Sequence, residues 1–270
     1  MQVTKYIITN HILEVYTYEN FTCGKGGKIK KENDINEISE EKEITELMLL
    51  NYKNHNKVRA NMIRRLACSN FDFESSFITF TFDDKKVKHD IHDVKQCNKQ
   101  FKKFILRLKY YLINNNLIEA EKELKYLAVI EFQDKNDRRA VHYHCLFNFE
   151  YIDAKELFKI WGLGSVYIEK IRHVDNVGAY LIKYMTKDND DERLMGLPAY
   201  LRSRNLAEPE EIICVEGKIN KAEEYYKVDT LTSKLKTIYE YEFDTEYLGK
   251  CTYKQYNLKR IEERGTNEWC

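Results

Sequence analysis

Two short apolar runs separated by a polar turn constrain this chain more than any other feature. Tyr126 to Phe132 and Val141 to Phe149 flank Asp134-Lys135-Asn136-Asp137, and such a pair reads as two strands joined in a hairpin. Successive side chains of a strand point to opposite faces. His142 and His144 therefore share one face of the second strand, and Tyr143 takes the other. Two imidazoles side by side have the donor chemistry to hold one divalent ion.

The surrounding periodicity gives the rest of the core. Ser76 to Phe82 alternates and is rich in aromatic and β-branched residues, which predicts a strand. Val94, Cys97, Phe101, Phe104, Leu108 and Tyr111 recur at spacings of three and four, the stripe of an amphipathic helix. Lys95, Lys99, Lys102, Lys103, Arg107 and Lys109 fall mostly off that stripe and read as its solvated face. After the hairpin come a short helix over Ala154 to Trp161, a strand over Gly164 to Ile171 and a helix over Val174 to Lys187. This order implies an α+β fold, a central antiparallel sheet with helices packed on one face and the other face open to a ligand.

The core is assigned to residues 57–190, between an N-terminal extension, 1–56, and a C-terminal accessory segment, 191–270. An apolar run, Tyr6 to Val15, opens the extension, and the charged stretch Lys30 to Glu46 closes it. Between them Cys23-Gly24-Lys25-Gly26-Gly27-Lys28 lacks the GxxxxGK followed by Ser or Thr of a phosphate loop and reads as a solvated turn. The acidic residues Asp188, Asp190, Asp191 and Glu192 and the two prolines, Pro198 and Pro209, mark the other boundary. Beyond it lie a predicted strand at Glu211 to Val215 and a predicted helix near Glu224.

With 43% hydrophobic and 13% aromatic residues among 270, the chain is expected to fold throughout. The formal charge is zero, so any nucleic-acid role must rest on local patches. Seven cysteines include no CxxC pair, which points to free thiols in the cytoplasm. No apolar run approaches the roughly twenty residues that span a bilayer, and the start lacks the parts of a secretory signal. Neither membrane insertion nor export is expected.

The last core helix places Val174, Val177, Leu181 and Met185 on a buried stripe, with Tyr180 and Tyr184 stacked beside it and Lys187 on the same flank. Both phenols then face one spot. A phenol with pKa of about 10 attacks a phosphodiester poorly unaided. A magnesium or manganese ion on His142 and His144 would polarise the phosphate, Lys183 or Lys187 would stabilise developing charge, and Glu131, about 5 Å across the hairpin, would supply an oxygen ligand. Arg138 and Arg139, in the hairpin loop, either contact DNA phosphates or decorate a turn. His89, Asp90, His92 and Asp93 open the amphipathic helix, where capping and solvation account for them.

At these residues the chain resembles the HUH endonuclease superfamily, specifically the rolling-circle replication initiators of phages and small plasmids. Phe77-Ile78-Thr79-Phe80-Thr81-Phe82 is similar to the family's first motif, His142-Tyr143-His144 to its second and Val177-Gly178-Ala179-Tyr180-Leu181-Ile182-Lys183 to its third. The repeat Tyr-x-x-Lys-Tyr-x-x-Lys from 180 to 187 is similar to the two-tyrosine subgroup. The resemblance implies that one tyrosine nicks single-stranded or hairpin origin DNA, stays joined to the 5′ phosphate and leaves a 3′ hydroxyl for a host polymerase and helicase. Tyr180 would act first and Tyr184 second, with His142, His144 and Glu131 as metal ligands. Two other readings remain at this stage: an HUH transposase or mobilisation relaxase, and a non-catalytic nucleic-acid binding module on whose open sheet Phe80 or Tyr143 stacks on bases.

Overall fold

The computed structural model describes residues 2–19, 57–118 except 73, 123–134, 138–185 except 173, 192–215 except 195 and 199, 218–219, 222–245 and 249–261. The turn at 23–28, the charged stretch 30–46, Lys187 and most of the acidic run after it lie outside these residues. In chain order the elements are β1 (Val3–Ile8), β2 (Ile12–Tyr18), a helix α1 over 57–70, β3 (Ser76–Thr81), α2 (Val94–Asn114), β4 (Tyr126–Gln133) and β5 (Ala140–Phe147). They continue with α3 (Ala154–Trp161), β6 (Val166–Glu169), α4 (Val177–Met185), β7 (Tyr200–Arg202), β8 (Glu210–Val215), β9 (Lys218–Ile219), α5 (Ala222–Thr232), β10 (Thr237–Thr245) and β11 (Gly249–Asn257).

The chain folds as two units, residues 51–208 and residues 1–50 together with 209–270. In the first, a five-stranded antiparallel sheet runs β6-β3-β5-β4-β7. Its fold class is the α+β arrangement that the order of elements predicts. The central strand β5 is buried along its whole length, as a strand covered on both faces must be.

One face carries Phe80 and Tyr143, paired across β3 and β5. Both are fully buried, under Phe101 and Phe104 of α2 and Trp161 of α3. The stripe predicted for α2 is buried except at its end, where Leu112 takes the inward place expected of Tyr111. Asp93 caps α2 by accepting from Lys95 N and Gln96 N, and Asp153 caps α3 in the same way. Gly162, at φ 67°, ends α3 in the left-handed conformation. Phe80 and Tyr143 therefore have no free ring face to offer a nucleobase, and the binding-module reading loses the two aromatics assigned to it.

The other face is not fully open. Tyr184 of α4 stacks on His144 of β5, and Tyr180 meets Phe77 of β3 edge-on. Helices thus lie on both sides of the sheet, α2 and α3 on one and α4 on the other. α4 is held in place by close approach to α1. A Cβ on Gly178 would lie 2.2 Å from Arg64 O and 2.9 Å from Cys68 Sγ. Gly178→Ala is expected to cost about 1–3 kcal/mol through overpacking against backbone, read as a lower urea midpoint. An unchanged midpoint would mean that the two helices are not in contact at this residue.

Strand pairing redraws the boundaries expected from composition. β7, beyond residue 190, pairs with β4 and belongs to the first unit. The two flanking segments share one six-stranded sheet, ordered β10-β11-β2-β1-β8-β9. Tyr6, Leu13, Val15, Ile212 and Tyr256 pack with Val228 of α5 on one of its faces. No helix among the described residues is long and apolar enough to cross a membrane.

Candidate active site

Register brings the site together. Thr81, His142 and Glu131 stand abreast on β3, β5 and β4, as do Thr79, His144 and Val129 one pair further along. All six project to the face that α4 crosses. His144 is almost completely buried and is fixed from both sides of its ring: Thr79 Oγ1 lies 2.9 Å from Nδ1 and Glu131 Oε2 lies 2.5 Å from Nε2. The ring of Tyr184 closes over it at 3.9 Å between centroids, 18° from parallel.

His142 is different. It is buried, and its Nε2 has no hydrogen-bond partner among the described residues. Burial, followed by the neighbouring His144, pushes its pKa down to about 4. The ring is neutral at physiological pH, the form in which imidazole ligates a metal. A buried polar atom left unpaired costs about 1–3 kcal/mol, so the site retains an unmet demand for a partner.

A cation would find its donors here only after a small rearrangement. Among the described residues, no three His, Cys, Asp or Glu side chains are arranged to hold a metal ion as they stand. Glu131 and His144 are turned toward one another and share a hydrogen bond. That bond engages the carboxylate oxygen and imidazole nitrogen that a cation would engage, and His142 is the nearest strand neighbour of both. Two imidazoles and one carboxylate form a donor set suited to manganese or magnesium. The donors fit, provided the Glu131–His144 hydrogen bond opens.

Both tyrosines reach this face. Tyr184 Oη donates to Tyr180 Oη at 3.4 Å, and Tyr180 Oη donates in turn to Glu169 Oε1. Lys183 Nζ lies over both rings, 3.4 Å from the centroid of Tyr180 and 4.8 Å from that of Tyr184. Burial and then the bond to Glu169 raise the Tyr180 pKa well above the ordinary phenol value. Phe77 forms the floor, 5.0 Å from the Tyr180 ring and 5.5 Å from that of Tyr184.

Two contributors went unnoticed in the sequence. Thr79, the partner of His144, sits in the alternating run that predicts β3. Glu169 pairs across β6 with Phe77, so it shares the face of Phe77 and the histidines. The alternation of β3 signals Thr79, whereas only the β3–β6 register brings Glu169 to the phenols.

The arginines lie apart from this cluster. Arg138 donates to Phe82 O at 2.5 Å and to Gln133 Oε1 at 3.4 Å, and its carbonyl accepts from His92 Nε2 at 2.9 Å. It ties the hairpin to the end of β3. Arg139 is exposed, with φ at 50°, and its N–H donates to Gln133 O. His92 also bonds Asp90 at 2.6 Å, so both its nitrogens are used, in keeping with the structural role expected of it.

Residues 75–189 match a family of replication-associated proteins, the ORF2 type. This segment is similar to replication initiators, and the match supports a role in DNA replication. It spans β3 through α4 and includes His142, His144, Glu131, Glu169, Tyr180 and Tyr184. No curated protein and no solved structure matches the chain.

Proposed function

We propose that the chain initiates rolling-circle replication by nicking and rejoining single-stranded or hairpin DNA at an origin, through a 5′-phosphotyrosine on Tyr180. One observation carries the reading: Tyr184 lies flat on His144 while its hydroxyl reaches that of Tyr180. Nucleophiles and metal-ligand candidates thus meet within one phosphate's reach on a single sheet face.

Tyr180 Oη forms a bond to phosphorus as the bond to the 3′ oxygen breaks. The energy of the phosphodiester is kept in the new ester, so resealing needs no nucleotide cofactor. The adjacent hydroxyls allow Tyr184 to take part in a second transfer at the same phosphate position. Lys183, lying over both rings, offsets negative charge on either phenolate and on the phosphate. His142, His144 and Glu131 would hold magnesium or manganese, which when bound supplies charge to polarise the phosphate. The 3′ hydroxyl left by the nick would prime a host polymerase, with a helicase opening the duplex.

The full chain, incubated with manganese and an oligonucleotide from its own replicon's origin, is expected to give a protein–DNA adduct that survives a denaturing gel. Binding of the oligonucleotide without any adduct would replace this reading with a non-catalytic binding role.

A further inference from the structure

We propose that Glu169 is the general base that takes the proton of Tyr180 as the phosphotyrosine forms. The inference rests on the nicking reading and names a catalytic residue within it. The hydrogen bonds run in one direction, from Tyr184 Oη to Tyr180 Oη to Glu169 Oε1. Tyr180 therefore sits with its proton already directed at a carboxylate, the arrangement an activated nucleophile requires. Losing that proton strengthens the donation from Tyr184, which then stabilises the phenolate. The same order selects Tyr180 for the first cut.

Glu169 is also connected to solvent. It lines a cleft of about 470 Å³ with Ser75, Tyr151, Lys170 and Arg172. The charged groups facing it are few. Lys183 comes from α4, Lys170 follows on its own strand, Arg172 is paired with Glu150, and Asp153 is engaged in capping α3. None of these is a competing proton acceptor on the Tyr180 hydroxyl.

The step balances. The phenol proton moves to the Glu169 carboxylate, the Tyr180 oxygen–phosphorus bond forms, and the bond from phosphorus to the 3′ oxygen breaks. The departing 3′ oxygen takes a proton from water, and Glu169 returns its own to solvent through the cleft. On rejoining, the 3′ hydroxyl attacks and the Tyr180 oxygen leaves and recovers a proton from Glu169.

Single-turnover nicking of an origin oligonucleotide with manganese, between about pH 6 and pH 9, tests the assignment. Glu169→Gln keeps an acceptor oxygen for the Tyr180 hydroxyl and is expected to preserve the fold and DNA binding. Its rate is expected to fall about 10²-fold near neutrality and then to climb about tenfold per pH unit, approaching wild type at the alkaline end. Glu169→Asp is expected to recover much of the rate with the wild-type profile. A loss that is equal at every pH, or no loss, overturns the role of base while leaving nicking in place. An absence of adduct with the wild-type chain instead overturns the nicking reading, and the base with it.

Discussion

Tyr180→Phe is expected to remove covalent adduct and first-strand nicking by on the order of 10³-fold or more, with oligonucleotide affinity nearly unchanged. The substitution deletes a single oxygen. The ring keeps its edge-on contact with Phe77 and its place under Lys183, because neither uses the hydroxyl. What disappears is the atom that bonds to phosphorus, together with the donor to Glu169. Tyr184 does not simply take over, since its ring is committed to His144 and its hydroxyl points at Tyr180 rather than at the carboxylate. Tyr184→Phe gives the complementary result: the first nick persists and the second transfer, which closes the displaced circle, is lost. Wild-type adduct yield from Tyr180→Phe would move the nucleophile elsewhere, and peptide mapping of the adduct would locate it.

The asymmetry between the two tyrosines also marks where sequence reasoning reached its limit. Helical spacing alone puts Tyr180 and Tyr184 on one flank, and strand alternation alone puts His142 and His144 on one face, because both depend only on local geometry. For the same reason α3 is found at its predicted bounds, where Asp153 and Gly162 supply start and stop signals. Glu169 was not legible: its meaning comes from pairing with Phe77, more than ninety residues earlier in the chain. The flanking units were obscured in the same way. β1 finds β8 and β2 finds β11 across the whole first unit, and no local composition records such pairings. The acidic and proline-bearing stretch after Asp188 looks like a domain limit, yet Leu201 behind it is buried in the core of the first unit and β7 pairs with β4. Arg138 illustrates the converse error. In sequence it is a cation in a loop, but its guanidinium is spent on Phe82 O and Gln133.

Chelation is expected to lower adduct formation by about 10²-fold or more, and manganese to restore it. Activity alone does not locate the ion, however, and the unpaired nitrogen of His142 allows a sharper measurement. In the metal-free protein that buried Nε2 is a liability, so His142→Leu, which replaces the imidazole with an apolar group of similar size, is expected to unfold in EDTA at the same urea concentration as wild type or a higher one. Manganese reverses the order. A ligand that binds only the folded state stabilises it by about 2.7 kcal/mol at a hundredfold excess over its Kd, and this increment is expected in wild type and not in His142→Leu. Glu131→Ala is expected to behave differently from both. It frees the Nε2 of His144 that it now engages, so it weakens the protein in EDTA and reduces the manganese increment as well. Equal stabilisation of all three proteins by manganese would place the ion away from β4 and β5, and equal adduct formation in EDTA would remove the ion from the chemistry. The two phenols and Glu169 would then have to carry the transfer without it.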